Sequence, residues 1–385
     1  MSVSKPKPEY LYDRMRGILP GYLDKLDEGQ KAFILTGPGK FFADNFIFIP
    51  AEHAYVIGPT GSGKTNKMYN LVNWLKHTEV ILWISASKDN DIAPLFFMGK
   101  PVNIIVPRYA GIEVTLDKKP VDNVTYSEVN DPSDVFYAIK KDHINILEVR
   151  NAFYDPDKLL DWMIQLFTVI AEWTRHGQMP NFYPPNVMHK RKTKISVFID
   201  ESQWLIAGIR VTSNPKRTKA TELITENALE IRTYGWRLII AAQGFTNTPP
   251  ALRENMACVV LCNNAEIEDP QRLRIHCKPG MNSIWKPTSL FKRNECKFID
   301  RNGECIPKKN PIAWPNYPKD PEDREKAERI KIKYARTYHD RPPKEAEQET
   351  ECFPELGRFQ AMAIPPEAQS AIINRWQYEG EVTNE

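Results

Sequence analysis

Short apolar runs alternate with stretches of helical periodicity along most of this chain. The runs that predict β-strands are residues 54–57, 80–85, 102–106, 144–149, 195–199, 238–242 and 257–262. A long amphipathic helix is predicted after Asp155, because an Asp-Pro-Asp start is followed by apolar residues at helical spacing. Strands that alternate with helices indicate an α/β fold with a mostly parallel central sheet flanked by helices.

The two ends of the chain depart from this alternation. Residues 1–53 contain a short amphipathic segment at 10–26 and a β-like stretch at 45–49, and we predict an N-terminal extension there. Residues 279–366 hold 12 of the 31 prolines, which favours irregular structure. We therefore predict a core at 54–278, followed at 279–385 by a C-terminal region with a hairpin, a proline-rich segment and helices.

Composition and charge exclude some environments and leave others open. The chain has 385 residues, of which 42% are apolar and 26% charged, as is typical of a globular protein. Its formal net charge of +3 is too small to indicate nucleic-acid binding, so any basic surface must be local. The first residues lack a signal-peptide core, and no stretch reaches the ~18 apolar residues of a membrane span. We expect a soluble, cytoplasmic protein without membrane insertion.

A glycine-rich loop follows the first predicted strand of the core and precedes an amphipathic helical pattern. Its residues are Gly58, Pro59, Thr60, Gly61, Ser62, Gly63, Lys64 and Thr65. In a loop of this pattern the backbone N–H groups cradle a phosphate, the lysine reaches the β and γ oxygens, and the threonine hydroxyl ligates Mg²⁺. The loop therefore predicts binding of a nucleoside triphosphate, with ATP and Mg²⁺ as the expected ligands.

Two adjacent carboxylates, Asp200 and Glu201, end the apolar run at 195–199. A buried strand places Asp200 at its carboxyl end, where it can hold Mg²⁺, and directs Glu201 toward the γ-phosphate to activate water. Many strands end in acids at a turn, but the phosphate loop upstream favours the catalytic interpretation. The sequence thus predicts a hydrolytic site with Glu201 as the general base.

Two further polar residues follow the next strand. Gln243 ends the run at 238–242, and the carboxyl ends of neighbouring parallel strands meet in one crevice. Gln243 is interpreted either as a sensor of the γ-phosphate or as a residue that caps the strand by hydrogen-bonding a loop backbone. Arg253 lies on a short proline-started turn, where it fits either an arginine finger acting on a neighbouring subunit or a surface salt bridge.

In combination these motifs resemble the FtsK/HerA superfamily of DNA-pumping ATPases. The resemblance covers roughly residues 50–265, including a turn at 232–235 of the pattern Arg-x-aromatic-Gly. It implies a RecA-like P-loop NTPase that acts as a homo-oligomeric ring, a pentamer or hexamer. The implied roles are phosphate binding for Lys64, Mg²⁺ ligation for Thr65 and Asp200, water activation for Glu201, sensing for Gln243, a trans finger for Arg253 and nucleotide binding for Arg232.

Departures from the family pattern narrow this expectation. HerA helicases carry an N-terminal barrel, whereas about fifty residues precede the loop here, and conjugative coupling ATPases usually carry membrane helices. The chain is most similar to the compact genome-packaging ATPases of membrane-containing icosahedral viruses. Residues 83–89 also lack the Asp-rich turn of many relatives, which leaves the role of that loop open.

Two basic clusters are candidates for contact with a DNA backbone. One is at residues 189–194, and the other contains Arg210, Lys216, Arg217 and Lys219 in what the sequence predicts to be a loop. The second follows the acidic pair directly, so it is the better placed to move with the nucleotide state. A solvated basic loop is the alternative, and no pattern for reading bases is present.

These observations predict an ATP hydrolase that translocates double-stranded DNA without sequence specificity, as a ring that packages a viral genome into a capsid. The C-terminal region would then contact a capsid or membrane protein, and the protein would act in the host cytoplasm or associated with the virion. The alternatives are an ATPase that energises conjugation or protein secretion, and a HerA-like DNA-processing helicase. All of them use the same nucleotide site.

Overall fold

One large sheet organises the part of the chain that the computed structural model describes, which is residues 22–49, 51–85, 92–176, 194–207, 214–244, 248–265, 288–302 and 311–343. The strands in these residues are β1 Ala54–Ile57, β2 Val80–Ser85, β3 Val102–Pro107, β4 Ile112–Leu116, β5 Lys119–Pro120, β6 Val124–Val129, β7 Ile144–Glu148, β8 Ile195–Ile199, β9 Trp236–Ala242, β10 Cys258–Leu261, β11 Glu295–Ile299, β12 Ile312–Ala313 and β13 Ile330–Tyr334. Ten of them pair in the order β12-β11-β10-β1-β9-β8-β2-β7-β3-β6.

Most pairs in this sheet are parallel, and only β11 and β12 run antiparallel to their neighbours. The helices of the described residues are α1 Glu28–Ile34, α2 Gly37–Phe42, α3 Lys64–Leu75, α4 Asp134–Ala138, α5 Pro156–His176, α6 Pro215–Glu230, α7 Pro250–Asn255 and α8 Pro321–Arg329. Short 3₁₀ turns lie at 23–25, 93–97, 150–152, 202–204, 231–234 and 288–290, and a π-helical turn at 43–47. The predicted α/β class with a mostly parallel, helix-flanked sheet is confirmed.

Alternate residues of the central strands pack into two separate apolar layers. On β1, Tyr55 and Ile57 join a layer that contains α5 residues such as Met163, whereas Val56 joins a layer that contains α3 residues such as Leu71. All of these side chains are at most 1% exposed. Both faces of the sheet are therefore covered, which explains why its strands are apolar throughout instead of alternating.

Residues 43–47 form a π-helical turn, so the predicted β-like stretch at 45–49 is wrong. Phe42 and Phe46 lie one helical turn apart and stack with ring centroids 5.7 Å apart. Both rings also contact Phe298 of β11 edge-on. The apolar run at 45–49 fits a strand and a helix equally well, and aromatic packing against the sheet decides in favour of the helix.

The C-terminal region joins the fold at two places. β11 pairs with β10 at the edge of the main sheet, and β12 pairs antiparallel with β11, Cys296 lying opposite Ile312. Residues 303–310, which connect the two strands, lie outside the described residues, so the predicted hairpin stays a prediction. β13 pairs antiparallel with β4, which in turn pairs with β5 in a separate three-stranded sheet. The chain between β12 and β13 therefore runs across the α3 side of the molecule. In the described part of the chain, no helix has the length and apolar character needed to cross a bilayer.

Candidate functional site

The loop at 58–65 joins β1 to α3 and has the backbone that its glycines predict. Gly61 and Gly63 have φ of +80° and +85°, in the left-handed region that favours glycine. At Gly58 the requirement is space, because an added Cβ would lie 2.5 Å from the Ser62 Oγ. The loop thus closes on itself tightly and aims the start of α3 at its concave side, which is the geometry of an anion site.

Lys64 lies across this loop. Its ammonium group donates a hydrogen bond to the Pro59 carbonyl oxygen at 3.0 Å. Burial lowers the pKa of Lys64, while the nearby carboxylates of Asp200 and Glu201 act in the opposite direction. A partly buried cation beside two carboxylates is available to a phosphate that enters the loop.

The acidic pair on β8 meets the loop, as the sequence predicts. Thr65 Oγ1 donates a hydrogen bond to Asp200 Oδ2 at 2.9 Å, and Asp200 is 2% exposed. A hydroxyl and a carboxylate at this distance provide the oxygen ligands that Mg²⁺ prefers, so these two residues fit the predicted metal. Mg²⁺ bound there would neutralise phosphate charge.

Glu201 has a strained backbone. Its φ of 46° and ψ of 50° put a non-glycine residue in the left-handed region, and its N–H donates to Asp200 Oδ1 at 3.0 Å. Its side chain lines the cavity beside the phosphate loop. Such conformations cost about 1 to 3 kcal/mol and concentrate at functional sites, where they aim a side chain.

Gln243 reaches the phosphate loop from the adjoining strand. β9 lies between β1 and β8, so its carboxyl end is beside both motifs. The Gln243 Nε2 donates to Thr60 Oγ1 at 3.2 Å. This contact joins the end of β9 to the loop itself, and it is compatible with either of the two roles predicted for Gln243.

A cavity of about 880 Å³ opens beside these residues. The phosphate loop, α3 and Glu201 form one part of its lining, and the C-terminal region forms another through Arg293, Tyr317 and Arg324. Sequence reasoning missed these three residues, which lie in the proline-rich region. The signal that the sequence offers for them is the row Asn66, Asn70 and Asn73 on α3, because Asn70 and Asn73 are buried and buried amides need hydrogen-bond partners.

The structure does not bring two of the predicted residues to this cavity. Arg232 precedes β9 and pairs with the buried Glu52 at 2.9 Å, at the amino end of the strands and opposite the phosphate loop of its own chain. Arg253 lies on α7, in the connection from β9 back to β10, and is 8% exposed. Their predicted roles toward a nucleotide therefore require a neighbouring subunit.

The basic residues predicted to touch DNA are helical where the structure describes them, so their assignment to a loop is wrong. Asn214 caps α6 by accepting bonds from Lys216 N and Arg217 N, and Pro215 occupies the first turn. Lys216 pairs with Asp161 at 2.7 Å, and Lys219 with Glu222 at 3.8 Å. Arg210 and residues 189–193 lie outside the described residues.

A phosphate loop whose threonine meets an acidic strand end, in a mostly parallel sheet, defines the class of P-loop nucleotide-binding proteins. No protein-family model matches the chain, and no curated protein matches it. Among solved structures, it is similar to the genome packaging NTPase B204 of Sulfolobus turreted icosahedral virus 2, with 13% identity over 66% of this chain and 96% of that chain and a TM-score of 0.39.

Two more structures have comparable similarity. One is the DNA-packaging ATPase B204 of Sulfolobus turreted icosahedral virus, with 14% identity over 66% of this chain and 94% of that chain and a TM-score of 0.33. The other is EssC (ATPases 2 and 3) of Geobacillus thermodenitrificans, with 12% identity over 72% of this chain and 43% of that chain and a TM-score of 0.39. At 12 to 14% identity and TM-scores below 0.4, these similarities do not assign a function to this chain.

Proposed function

We propose that this protein is an ATP-driven motor that moves double-stranded DNA as a homo-oligomeric ring and packages a viral genome. The observation that carries the proposal is the contact of Thr65 with Asp200. Glu201 is the next residue along the chain, and Gln243 is hydrogen-bonded to the phosphate loop. A nucleotide switch or kinase needs the phosphate loop, but it does not need a carboxylate held in strain beside it to activate water.

The chain's own residues divide the hydrolytic work. The loop N–H groups and Lys64 hold the β- and γ-phosphates, and Thr65 with Asp200 holds Mg²⁺. Glu201 accepts a proton from the attacking water, and its fixed backbone keeps the carboxylate at the cavity. Gln243 reports the state of the γ-phosphate to β9 through its bond to Thr60.

The ring is proposed because an arginine from a neighbour would complete the site. Arg253 is the candidate arginine finger that would act on a neighbouring subunit. Because it is only 8% exposed, its side chain has to move from its buried position to the surface when subunits assemble. Arg232 is a second candidate in trans. DNA contact is assigned to the basic start of α6, where Lys219 is 57% exposed, together with Arg210.

The test is the steady-state ATPase rate and the mass in solution, measured with and without duplex DNA at low salt. We expect a ring-sized species whose turnover rises with DNA, a rate at least about a hundredfold lower in Glu201→Gln with ATP binding retained, and no turnover in Arg253→Ala. Hydrolysis by the ring that is indifferent to DNA would instead favour an ATPase that acts on polypeptides, as in secretion or conjugation. Full turnover in Glu201→Gln would refute the hydrolytic mechanism.

A further inference from the structure

The cavity beside the phosphate loop has a wall that the nucleotide motifs do not supply. This wall consists of Tyr317 and Pro318, Glu328 of α8, and Ala93 and Pro94 of the 3₁₀ turn before β3. We propose that it binds the base and sugar of the nucleoside triphosphate, so that the C-terminal region completes the nucleotide site of its own chain. The inference rests on the proposed nucleotide-binding function.

The wall is fastened to the helix that follows the phosphate loop. Asn66, directly after Thr65, donates to the Pro315 carbonyl oxygen at 3.0 Å and accepts from Tyr317 N at 2.8 Å. Asn70, one turn later, donates to the same Pro315 oxygen at 2.9 Å. Two amides one helical turn apart thus hold Tyr317 in register with the loop.

A second contact fixes the C-terminal region at the loop itself. The ammonium group of Lys67, which is 0% exposed, donates to the Arg293 carbonyl oxygen at 2.9 Å. That oxygen lies so close to the loop that a Cβ added at Gly63 would be 2.4 Å from it. A buried ammonium group needs hydrogen-bond acceptors, and the Arg293 carbonyl supplies one, so burial of Lys67 stabilises the approach of residue 293 to the phosphate loop.

The far side of the wall is held by packing. α8 packs against the 3₁₀ turn at 93–97, with Ala327 8% exposed and Ala93 2% exposed. β13 follows α8 directly and pairs with β4 along Ile330 to Tyr334. Two small residues at the contact let the helix approach closely, and the strand pair prevents the helix from drifting away from the cavity.

The chemistry of the wall suits a nucleoside. Tyr317 offers an aromatic ring, the half-buried Pro94 offers flat apolar surface, and Glu328 adds a hydrogen-bond acceptor at the exposed side. Aromatic rings bind bases by stacking, whichever base is present. Ligand pockets typically combine an apolar lining with a few polar groups. The cavity of about 880 Å³ is also larger than a triphosphate chain requires, since pockets of roughly 300 to 1,000 Å³ hold whole drug-sized ligands.

The experiment compares two ligands on the full chain by calorimetry: Mg-ATP, and inorganic tripolyphosphate with Mg²⁺, which has the phosphates alone. Tyr317→Ala removes the ring. Glu328→Trp fills the cavity from an exposed position on α8, and it decides the matter if Tyr317→Ala does not fold. The matched controls are Tyr137→Ala, which removes a tyrosine that is 53% exposed elsewhere, and Glu325→Trp, which places the same bulk on α8 away from the cavity.

We expect both wall variants to bind Mg-ATP about tenfold or more weakly, Tyr317→Ala because base stacking is lost and Glu328→Trp because the indole occupies the space of the base. Both should bind tripolyphosphate like the wild type. The controls should match the wild type for both ligands. Unchanged ATP affinity in the folded wall variants, or an equal loss for both ligands, would overturn the inference while leaving the proposed function intact. Failure of the wild type to bind either ligand would overturn the proposed function itself.

Discussion

Thr65 and Asp200 lie 135 residues apart in the chain and are joined by a hydrogen bond of 2.9 Å between hydroxyl and carboxylate. The bond connects the first turn of α3 to the end of β8, and it exists because β1, β9 and β8 are adjacent parallel strands that end on the same side. Their oxygens are the ligands proposed for Mg²⁺. The contact therefore ties metal binding to the relative position of two elements of the sheet.

The metal role of this pair predicts a specific pattern of losses. Asp200→Asn removes the charge that holds Mg²⁺, so ATP turnover should fall at least about a hundredfold, equivalent to about 2.7 kcal/mol of transition-state stabilisation. ATP turnover should fall to a similar extent in Thr65→Ala, whereas Thr65→Ser retains the hydroxyl and should keep most of the activity. The measurement is turnover against Mg²⁺ concentration, and equal activity of Thr65→Ala and Thr65→Ser would contradict the assignment.

The parts of the site that a local pattern encodes could be predicted from sequence. The phosphate loop, the acidic pair and the strand that ends at Gln243 each follow from a short motif on a strand, and parallel pairing then brings them together. The wall of the cavity could not be predicted in this way. It depends on side-chain bonds to backbone groups 226 and 251 residues away, from Lys67 and Asn66, and such bonds leave no periodic signal.

The fold shows the same division. Continuous apolar runs located the parallel strands except β6, which pairs with β3 at one edge of the sheet and is polar at most of its positions. β4, β5 and β13 were missed because they are short or carry charged residues on one face. The start of α6 was assigned to a loop because its basic residues obscured the helix signal that Asn214 and Pro215 give.

The backbone of Glu201 predicts an effect on stability that is independent of catalysis. At φ 46° an L residue is strained, whereas glycine is not, so Glu201→Gly should be about 1 kcal/mol more stable than Glu201→Ala. Both variants should be inactive. Urea unfolding of the two variants tests this, and a more stable alanine variant would show that residue 201 is not held in the left-handed region.

Replacing Gln243 distinguishes its two roles. If Gln243 senses the γ-phosphate, Gln243→Ala should lower turnover about tenfold or more and leave nucleotide affinity and the free energy of unfolding within about 0.5 kcal/mol of the wild type. If it only caps the strand by bonding Thr60, stability should fall by about 1 kcal/mol and turnover should not change. We expect the first result, measured by ATPase assay and urea unfolding on the same samples.

Arg293 is expected to act on the phosphates, in contrast to the wall residues. Its side chain lines the cavity and its Cγ lies beside Gly63, within reach of an anion in the loop. Arg293→Ala should weaken Mg-ATP and Mg-tripolyphosphate to the same extent, about tenfold for the loss of one charge-assisted bond. Lys292→Ala, which changes an exposed neighbour outside the cavity lining, should have no effect. A loss of affinity for Mg-ATP without a loss for Mg-tripolyphosphate would instead mean that Arg293 contacts the base.

A buried carboxylate at the end of β7 predicts how stability depends on pH. Glu148 is 1% exposed, and its Oε2 has no hydrogen-bond partner among the described residues. Burial raises the pKa of Glu148 from 4.5 to about 7. The folded chain therefore holds a proton that the unfolded chain releases above pH 4.5, so this group's contribution to stability is complete below that pH and is lost as pH rises to about 7.

The variant Glu148→Gln isolates this effect, because glutamine keeps the shape and the acceptor oxygen that Asn151 N bonds at 3.3 Å. Between pH 4.5 and pH 8 the wild type should lose roughly 3 kcal/mol of unfolding free energy relative to the variant. Burial lowers the pKa of His53 to about 4, so His53 makes the folded protein more stable as pH rises, opposite to Glu148. Because His53 is present in both proteins, its effect cancels in the difference between their free energies of unfolding. Urea titrations across this range provide the measurement, with the exposed Glu172→Gln as control. A difference that stays constant with pH would mean that Glu148 is already ionised in the folded protein at low pH, which its burial at the end of β7 argues against.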